Sequence, residues 1–419
     1  MKLGTSIDSY LRKFTLVDER TNLHLFGHDE ASTRVEEATI DGTLVNRYVN
    51  EFWTSRQRQA SSIHEISYRA CFKPQLPGFF IKLLSDANSL IYDPFSGRGT
   101  TVIEAGLLGR RIISNDANPL SLILTRPRFA PPAVSDVSAR LDSIPAKSCD
   151  GDEIDLSMFF HEKTIQEILR LRNYLVDRRT AGEEDDIDRW IAMVATNRLT
   201  GHSKGFFSVY TLPPNQAVSP ERQKKINLAR NQTPEYRNVK EIVLKKTAGL
   251  LRSLTQEQIN NLNNAACSAA FLNNDARNTP KIESDSVQLI VTSPPFLDVV
   301  QYSTDNWMRL WFNSLKLNES GASITMAKKV EDWSSFIMFV FKELYRVCKG
   351  NGYVAFEVGE VKNRTVNLDE HVVPLGIAAG FECLGILVNS QRFSKTSNIW
   401  GVKNMTSGTN SNRIVLFRK

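Results

Sequence analysis

The sequence predicts an α/β protein built on a Rossmann-like mixed sheet of seven strands, with a helical insertion between the second and third strands. Three observations support this fold class. A strand, a glycine loop, a helix and a second strand follow one another within about 30 residues. Residues from about 125 to 265 then show helical, polar patterns. The alternation of strands and helices resumes near Ala269.

The first β-α-β unit is clearly marked. Ser89–Asp93 is apolar and reads as a strand, Pro94–Gly99 as a loop, and Thr100–Leu108 as a helix. Gly109 stands where a glycine commonly ends a helix. Arg111–Asp116 is the next predicted strand.

Later segments repeat the same alternation. Apolar, β-branched runs predict strands at Phe271–Asp275, Val287–Val291, Gly352–Val361, Phe381–Asn389 and Asn412–Phe417. A helical pattern over Trp333–Cys348 separates two of them.

The chain is expected to divide into three units. Residues 1–60 are polar and read as an N-terminal extension, with helical stretches near Leu44–Arg58. Residues 61–124 and 266–419 would form the sheet domain, and residues 125–265 the helical insertion.

Composition narrows the class of protein. The chain has 419 residues, of which 41% are apolar and 23% are charged, as in ordinary globular proteins. It has no run of about 18 apolar residues, so no transmembrane helix is expected. The N-terminal residues up to Glu19 lack a signal-peptide core, and we expect a cytoplasmic protein. The five cysteines form no C-x-x-C pair, so neither a metal site nor a disulfide framework is expected.

Positive charge is concentrated in one segment of the insertion. The net charge is +6. Gly201–Leu250 holds nine Lys/Arg and three Glu, and the resulting charge of +6 equals the net charge of the whole chain. Interleaved aromatic residues (Phe206, Phe207, Tyr210, Tyr236) favour contact with a polyanion over a merely solvated surface. The candidate contacts are Lys204, Lys224, Lys225 and Arg230.

The glycine loop Asp93–Thr101 predicts a ligand site. Glycines let a backbone approach a ligand, and the N-terminus of the following helix presents free N–H groups. Asp116, at the end of the next strand, stands where an acid can bind a ribose diol. Val102 replaces the third glycine of the dinucleotide fingerprint, and no G-K-[ST] follows as in a P-loop.

A second unusual segment, Thr292–Phe296, reads Thr-Ser-Pro-Pro-Phe and ends a predicted strand. Two prolines stop the strand and stiffen its backbone. The segment therefore fixes a hydroxyl, a carbonyl and an aromatic ring at the strand's carboxyl end. Such a shelf suits a flat heterocycle that carries an exocyclic amine.

Three segments together resemble the amino-DNA methyltransferases that use S-adenosylmethionine. Asp93–Thr101 resembles their cofactor loop and Thr292–Phe296 their catalytic motif. His64–Leu76 resembles the upstream segment that completes the methionine pocket. The resemblance covers roughly residues 60–120 and 265–419.

The resemblance implies roles for individual residues. Asp116 would hold the ribose of the cofactor and Asp275 would lie near its adenine. The full set of implied cofactor-binding residues is Phe72, Lys73, Asp93, Pro94, Phe95, Ser96, Gly97, Gly99, Thr100, Thr101, Asp116 and Asp275. The implied catalytic residues are Ser293, Pro294, Pro295 and Phe296. Thr292, Asp298 and Tyr302 would line the pocket of the target base.

In the resembling family, the same motif indicates which base amine is methylated. Relatives with serine before Pro-Pro mostly methylate cytosine N4, and those with Asp or Asn mostly methylate adenine N6, so Ser293 favours cytosine. Adenine N6 stays open, because some serine-containing relatives methylate adenine. Methylation at cytosine C5 would need a cysteine nucleophile, which commonly follows a proline, and none of the five cysteines does so.

The sequence is therefore expected to encode a site-specific DNA methyltransferase of a bacterial cytoplasm, associated with double-stranded DNA. The insertion is the candidate for target recognition. We expect a monomer or a weak dimer, and leave open a cognate restriction endonuclease that acts independently. An RNA methyltransferase and a catalytically silent DNA-binding relative are the alternatives.

Overall fold

A computed structural model describes residues 6–16, 33–53, 60–68, 71–146, 154–211, 217–295, 306–316, 329–361, 366–390 and 412–419. The strands are β1 Arg34–Ile40, β2 Thr43–Asn50, β3 Leu90–Asp93, β4 Arg111–Asn115, β5 Ala270–Leu272, β6 Val287–Thr292, β7 Cys348–Val358, β8 Glu360–Val361, β9 Val366–Asn367, β10 Glu382–Asn389 and β11 Asn412–Arg418.

Helices occupy most of the remaining described chain. The helices are α1 Ile7–Arg12, α2 Gln75–Leu84, α3 Thr100–Leu107, α4 Leu120–Thr125, α5 Val134–Asp142, α6 Glu162–Thr180, α7 Asp186–Arg198, α8 Pro220–Arg230, α9 Val239–Leu251, α10 Gln256–Ala266, α11 Trp307–Phe312, α12 Val330–Val347 and α13 Leu368–Ala378. Two 3₁₀ turns cover Ser62–His64 and Arg126–Phe129.

One nine-stranded sheet organises the molecule, in the order β1-β2-β10-β11-β7-β6-β3-β4-β5. β1 and β11 run antiparallel to their neighbours, and the other adjacent pairs are parallel. The chain runs outward from β3 through β4 to β5, then returns to β6 on the other side of β3. This confirms the predicted Rossmann-like α/β sheet, and the strand order reverses between β3 and β6.

The N-terminal hairpin corrects one prediction. The sequence predicts helical stretches near Leu44–Arg58, but Leu44–Asn50 lies in β2. The β1–β2 hairpin adds two strands to the predicted seven. The buried residues Val45 and Tyr48 are three apart, a spacing that suggests a helix. The tight turn at Asp41-Gly42, where both residues have positive φ, is instead typical of a two-residue hairpin.

The helical insertion has the predicted place between β4 and β5, where α4 to α10 lie. Two apolar cores cover the two faces of the sheet. One core includes α2, α3 and much of the insertion, and the other includes α12 and α13. Trp190 of α7 is fully buried and donates its indole N–H to Thr247 Oγ1 at 3.1 Å, so the insertion has a packed interior of its own.

Within the described residues, every helix is too short or too polar to span a membrane.

Candidate active site

The two sequence motifs meet where the strand order reverses. β3 ends at Asp93 and β6 ends at Thr292, and both side chains are buried. Thr292 Oγ1 donates a hydrogen bond to Asp93 Oδ1 at 2.7 Å. Thr101 Oγ1, at the start of α3, donates to Val291 O at 3.0 Å. Ligands of open α/β sheets bind in the crevice at this switch point, so the structure places both predicted motifs at one candidate site.

The glycine loop is tightly wound between β3 and α3. Gly97 and Gly99 have φ of 53° and 77°, a left-handed conformation that favours glycine. A Cβ on Gly99 would lie 2.5 Å from Thr125 side-chain atoms. Phe95 N donates to Asp93 Oδ1 at 3.1 Å. Ser96 is buried, and its hydroxyl accepts a hydrogen bond from that of Ser114 at 2.9 Å.

Asp116 holds the loop from the end of β4. Its two carboxylate oxygens accept hydrogen bonds from Gly97 N at 2.7 Å and from Asn118 N at 2.8 Å. A carboxylate has about four acceptor sites, so the group keeps capacity for a further donor such as a ribose hydroxyl. Both carboxyls at this edge have pKa values above the ordinary aspartate value. Burial raises the pKa of Asp93 to about 7 and that of Asp116 to about 6.

The upstream segment His64–Leu76 is hydrogen-bonded to the glycine loop. Arg98 Nη1 donates to the carbonyl oxygens of His64 at 3.2 Å and Ile66 at 2.7 Å. The fully buried Arg128 donates to Ile63 O at 3.3 Å and also to Arg98 O. Burial lowers the pKa of Arg128 to about 9. Neither arginine belongs to a sequence motif that could have predicted this role, because both donate to carbonyls distant in the chain.

Tyr68 covers the loop from the same segment. A Cβ on Gly97 would lie 3.2 Å from Tyr68 Cε1, and the Tyr68 hydroxyl accepts from Asn118 Nδ2 at 3.3 Å. Phe72 is half-buried and packs against the core. Lys73 is half-buried as well, and burial, with the nearby Arg98 charge, lowers its pKa.

The loop after β5 lies beside this edge. Asp275, the residue expected near the adenine, is paired with Arg277 at 2.6 Å. Asn273 Nδ2 donates to Asp116 O at 2.7 Å. Asn274 exchanges two hydrogen bonds with the Asn115 side chain, at 3.0 Å each. These two asparagines bring the loop beside Asp116, and no sequence motif marked them.

The shelf residues are partly described. Pro294 is buried, while Ser293 and Pro295 are half-buried. Trp333 Nε1 of α12 donates to Pro295 O at 3.0 Å, which fixes the backbone beyond the two prolines. Phe296, Asp298 and Tyr302 lie outside the described residues.

Glu357, which lies near the end of β7, is a further residue of this edge that no sequence motif marked. This carboxylate is 5% exposed and is hydrogen-bonded by the Ser293 hydroxyl and by Asn412 Nδ2, the latter at 2.9 Å. Burial raises the pKa of Glu357. Alternation along the strand could not show which face of the sheet this residue occupies.

The basic segment divides into internal and exposed cations. Arg237 donates to the carbonyl oxygens of Ser203 and Phe206 at 3.0 and 2.8 Å, and Lys246 donates to Glu65 O at 2.6 Å. The exposed cations include the predicted contacts Lys204, Lys224, Lys225 and Arg230.

Three of these exposed cations lie on α8, where Arg230 stacks on Tyr210 at 3.8 Å. Phe206 and Phe207 are buried, so these two rings are core residues and the expected aromatic contact with a polyanion is wrong for them.

A family comparison agrees with this geometry. Residues 28–121 match the N6/N4 methyltransferase family, described as DNA methylase. The matched stretch contains the hairpin, the upstream segment, the glycine loop and Asp116, but less than half of the chain. The DNA methylase match agrees with the S-adenosylmethionine cofactor that the loop motif implied. Comparison with curated protein sequences gives no match.

Several solved methyltransferase structures are similar to the chain. TrmN from Thermus thermophilus is 10% identical over 87% of this chain, which spans about half (52%) of TrmN, with a TM-score of 0.32. The rRNA methyltransferase AviRa from Streptomyces viridochromogenes is 12% identical over 87% of this chain and 92% of its own, with a TM-score of 0.35.

A second Thermus thermophilus protein, described as a DNA modification methylase and complexed with S-adenosyl-L-methionine, is 21% identical. It covers 35% of this chain and 53% of its own, with a TM-score of 0.22. All three TM-scores are low, so the fold assignment rests on the strand order itself.

Proposed function

We propose that this protein is a DNA methyltransferase that uses S-adenosylmethionine to methylate an exocyclic base amine, the N4 amine of cytosine. The hydrogen bond between Thr292 and Asp93 carries the proposal. It joins the end of the Ser-Pro-Pro shelf to the start of the glycine loop at the switch point of the sheet. A methyl donor in the loop and an amine on the shelf would therefore be neighbours.

The glycine loop fits the cofactor. Its left-handed glycines present backbone at the start of α3, and Asp116 offers acceptors for ribose hydroxyls. Asn273 and Asn274 line the adjoining edge, with Asp275 held by Arg277. When bound, S-adenosylmethionine supplies an electrophilic methyl group. The residues of this chain bind and orient it and keep it beside the shelf.

The shelf supplies what an amine of this kind needs. The lone pair of an exocyclic amine is delocalised into the ring, which makes it a weak nucleophile. Acceptors that bind its N–H groups align it and favour charge developing on the nitrogen. Ser293 Oγ and the Pro294 carbonyl are the proposed acceptors, and Phe296 would stack on the ring. A paired base cannot reach such a pocket, so the base would leave the duplex.

Ser293 is the reason for naming cytosine. Relatives with serine at this position favour cytosine N4, and relatives with Asp or Asn favour adenine N6. Adenine N6 is therefore the alternative within the same mechanism.

DNA contact is assigned to the insertion, residues 125–265. Helix α8 presents Lys224, Lys225 and Arg230 to solvent. Trp307 Nε1 donates to Ala217 O at 3.0 Å, just before α8 begins, which ties this helix to α11 after the shelf. Cations there would contact phosphates and set the register of the duplex without reading its sequence.

Nucleoside mass spectrometry tests the proposal. The protein is incubated with mixed-sequence duplex DNA and S-adenosylmethionine that carries a deuterated methyl group, with a parallel reaction on tRNA and rRNA. We expect deuterated N4-methylcytosine from the DNA. Deuterated N6-methyladenine would overturn the cytosine assignment, label in RNA alone would overturn the DNA substrate, and absence of label from cofactor-binding protein would overturn the enzyme.

A further inference from the structure

Glu357 occupies a position set by the strand register. In the parallel pair β6–β7, Thr292 is opposite Phe356, so the next residues along, Ser293 and Glu357, are neighbours at the carboxyl edge. On the other side, β11 places Ile414 opposite Glu357. Three neighbouring strands therefore fix a buried carboxylate behind the proposed acceptor hydroxyl.

Among the described residues, two neutral side chains are hydrogen-bonded to this carboxylate. Asn412 Nδ2 donates to Glu357 Oε1 at 2.9 Å, and the Ser293 hydroxyl is hydrogen-bonded to the same carboxylate. Two charged residues on neighbouring strands of the described structure, Asp93 and Arg413, have partners elsewhere. Asp93 of β3 accepts from Thr292, and Arg413 of β11 pairs with Asp369 of α13 at 3.0 Å.

The direction of the Ser293 hydrogen bond follows from the groups available. An ionised carboxylate can only accept, whereas a hydroxyl has one proton and two lone pairs. The Ser293 hydroxyl therefore donates its O–H hydrogen bond to Glu357, and both lone pairs of Oγ remain for other donors. An amine N–H on the shelf is a donor of the required kind.

We propose that Glu357 is a positioning residue for Ser293. The ionised carboxylate of Glu357 accepts the hydrogen bond of the Ser293 hydroxyl, which turns the lone pairs of Oγ toward the target amine. The inference rests on the proposed methyl transfer and deepens it. Ser293 is half-buried, so it can meet a substrate on one side while Glu357 holds it from the other.

Protonation of Glu357 reverses this arrangement. A neutral carboxyl can donate to Ser293 Oγ, which occupies one lone pair and leaves the serine proton pointing toward the amine. Burial raises the pKa of Glu357 above 4.5, the ordinary glutamate value. Turnover should therefore fall on the acid side as Glu357 takes up a proton. Asp93 and Asp116 line the cofactor loop, so their titration should act on cofactor affinity.

Glu357→Gln is the direct test, because it keeps the shape of the side chain and removes its charge. We expect kcat near pH 8 to fall about 10²-fold, which is the size of effect expected when a substrate-orienting group is misplaced. The cofactor Kd should stay near the wild-type value, and the acid limb of the kcat profile assigned to Glu357 should disappear. A cycle with Ser293→Ala separates positioning from folding, since Glu357→Gln should then have little further effect.

Asn412→Leu is the second variant and leaves Glu357 in place. It removes a hydrogen bond that stabilises the charged carboxylate, so the acid limb of kcat should move to higher pH by about one unit. Independent, multiplicative losses in the cycle, or an acid limb unchanged in both variants, would overturn the inference. If the wild-type protein transfers no methyl group to DNA, the proposed function itself has failed, which is a separate result.

Discussion

Asp93 serves both parts of the proposed site. Its carboxylate accepts from Phe95 N in the glycine loop and from Thr292 Oγ1 at the start of the shelf. Burial nevertheless raises its pKa to about 7, because desolvation disfavours the charged form more than these hydrogen bonds stabilise it. The glycine loop and the shelf are thus joined through a carboxyl whose pKa lies near neutral pH.

This carboxyl should make stability depend on pH. An acid whose pKa rises on folding binds its proton more tightly in the native state. Its contribution to the free energy of unfolding therefore decreases as pH rises from 3.8 to about 7. In Asp93→Asn this part of the decrease should be absent. The change in free energy of unfolding over this pH range should therefore differ between variant and wild type by at most about 4 kcal/mol. Urea unfolding of both proteins at intervals from pH 4 to pH 8 measures it.

Asp155→Asn is the matched control, since Asp155 is exposed and its pKa is lowered by hydrogen bonds from Ser157. That variant should follow the wild-type curve between pH 5 and 8. Asp116 remains in all three proteins and cancels in the comparison. Parallel curves for Asp93→Asn and wild type would show that Asp93 is ionised in the native protein throughout.

Ser293 should contribute to turnover and little to cofactor binding. Ser293→Ala removes one of two proposed acceptors for the amine and leaves the glycine loop intact. We expect kcat to fall about 10²-fold or more, as when one oriented group is removed from a transition-state site. Single-turnover methyl transfer gives the rate, and calorimetric titration with S-adenosylmethionine gives cofactor affinity. Near-normal turnover would remove Ser293 from the mechanism.

At the scale of elements, local signals predicted the two motifs that the structure brings together at the candidate site. Strand, glycine loop and helix follow each other closely in the chain, and their residues interact within that stretch. The Pro-Pro shelf is equally local. Arg98, Arg128 and Glu357 were missed because their partners are far along the chain. Arg128, for example, donates to Ile63 O and Glu357 accepts from Asn412.

In the hairpin β1–β2, two local sequence signals conflict. Its residues carry a strong turn signal, Asp41-Gly42, yet the spacing of Val45 and Tyr48 favours a helix. The decisive fact is the pairing of β2 with β10, where Tyr48 is opposite Leu387. Residues so distant in the chain give no common pattern in a single sequence.

The glycine loop permits a controlled test of close packing. Gly99 and Gly182 have nearly equal φ, 77° and 73°, but an added Cβ meets Thr125 at 2.5 Å in one and nothing within 4 Å in the other. Gly182→Ala should cost about 1–2 kcal/mol from backbone strain alone. Gly99→Ala should cost clearly more and weaken cofactor binding at least about 10-fold, because the loop must shift. Equal stability losses in urea unfolding, with cofactor affinity retained, would contradict this account of the loop.

For the whole molecule, the insertion and the sheet meet at the site. Asn197, the penultimate residue of α7, donates to Ser67 O at 3.0 Å, and Arg309 of α11 donates to the same oxygen at 3.4 Å. Ser67 precedes Tyr68, which covers the glycine loop. The region proposed to bind DNA is therefore connected to the cofactor loop and to the chain after the shelf.

The charge distribution of the whole molecule gives the last prediction. Lys224 and Lys225 are exposed on α8, whereas Lys281 and Lys349 lie near the amino ends of β6 and β7, at the opposite edge of the sheet. Lys224→Gln with Lys225→Gln should weaken binding to all DNA sequences alike. The slope of log K against log salt is negative, and its magnitude should fall by about 2, one unit for each lost phosphate contact.

Lys281→Gln with Lys349→Gln removes the same charge and should leave that slope near the wild-type value. Fluorescence anisotropy with a labelled duplex at several salt concentrations measures both variants. Equal changes in the two double variants would mean that net charge alone drives binding. An unchanged slope in the α8 variant would place the duplex on another surface, and α8 would then be a solvated helix.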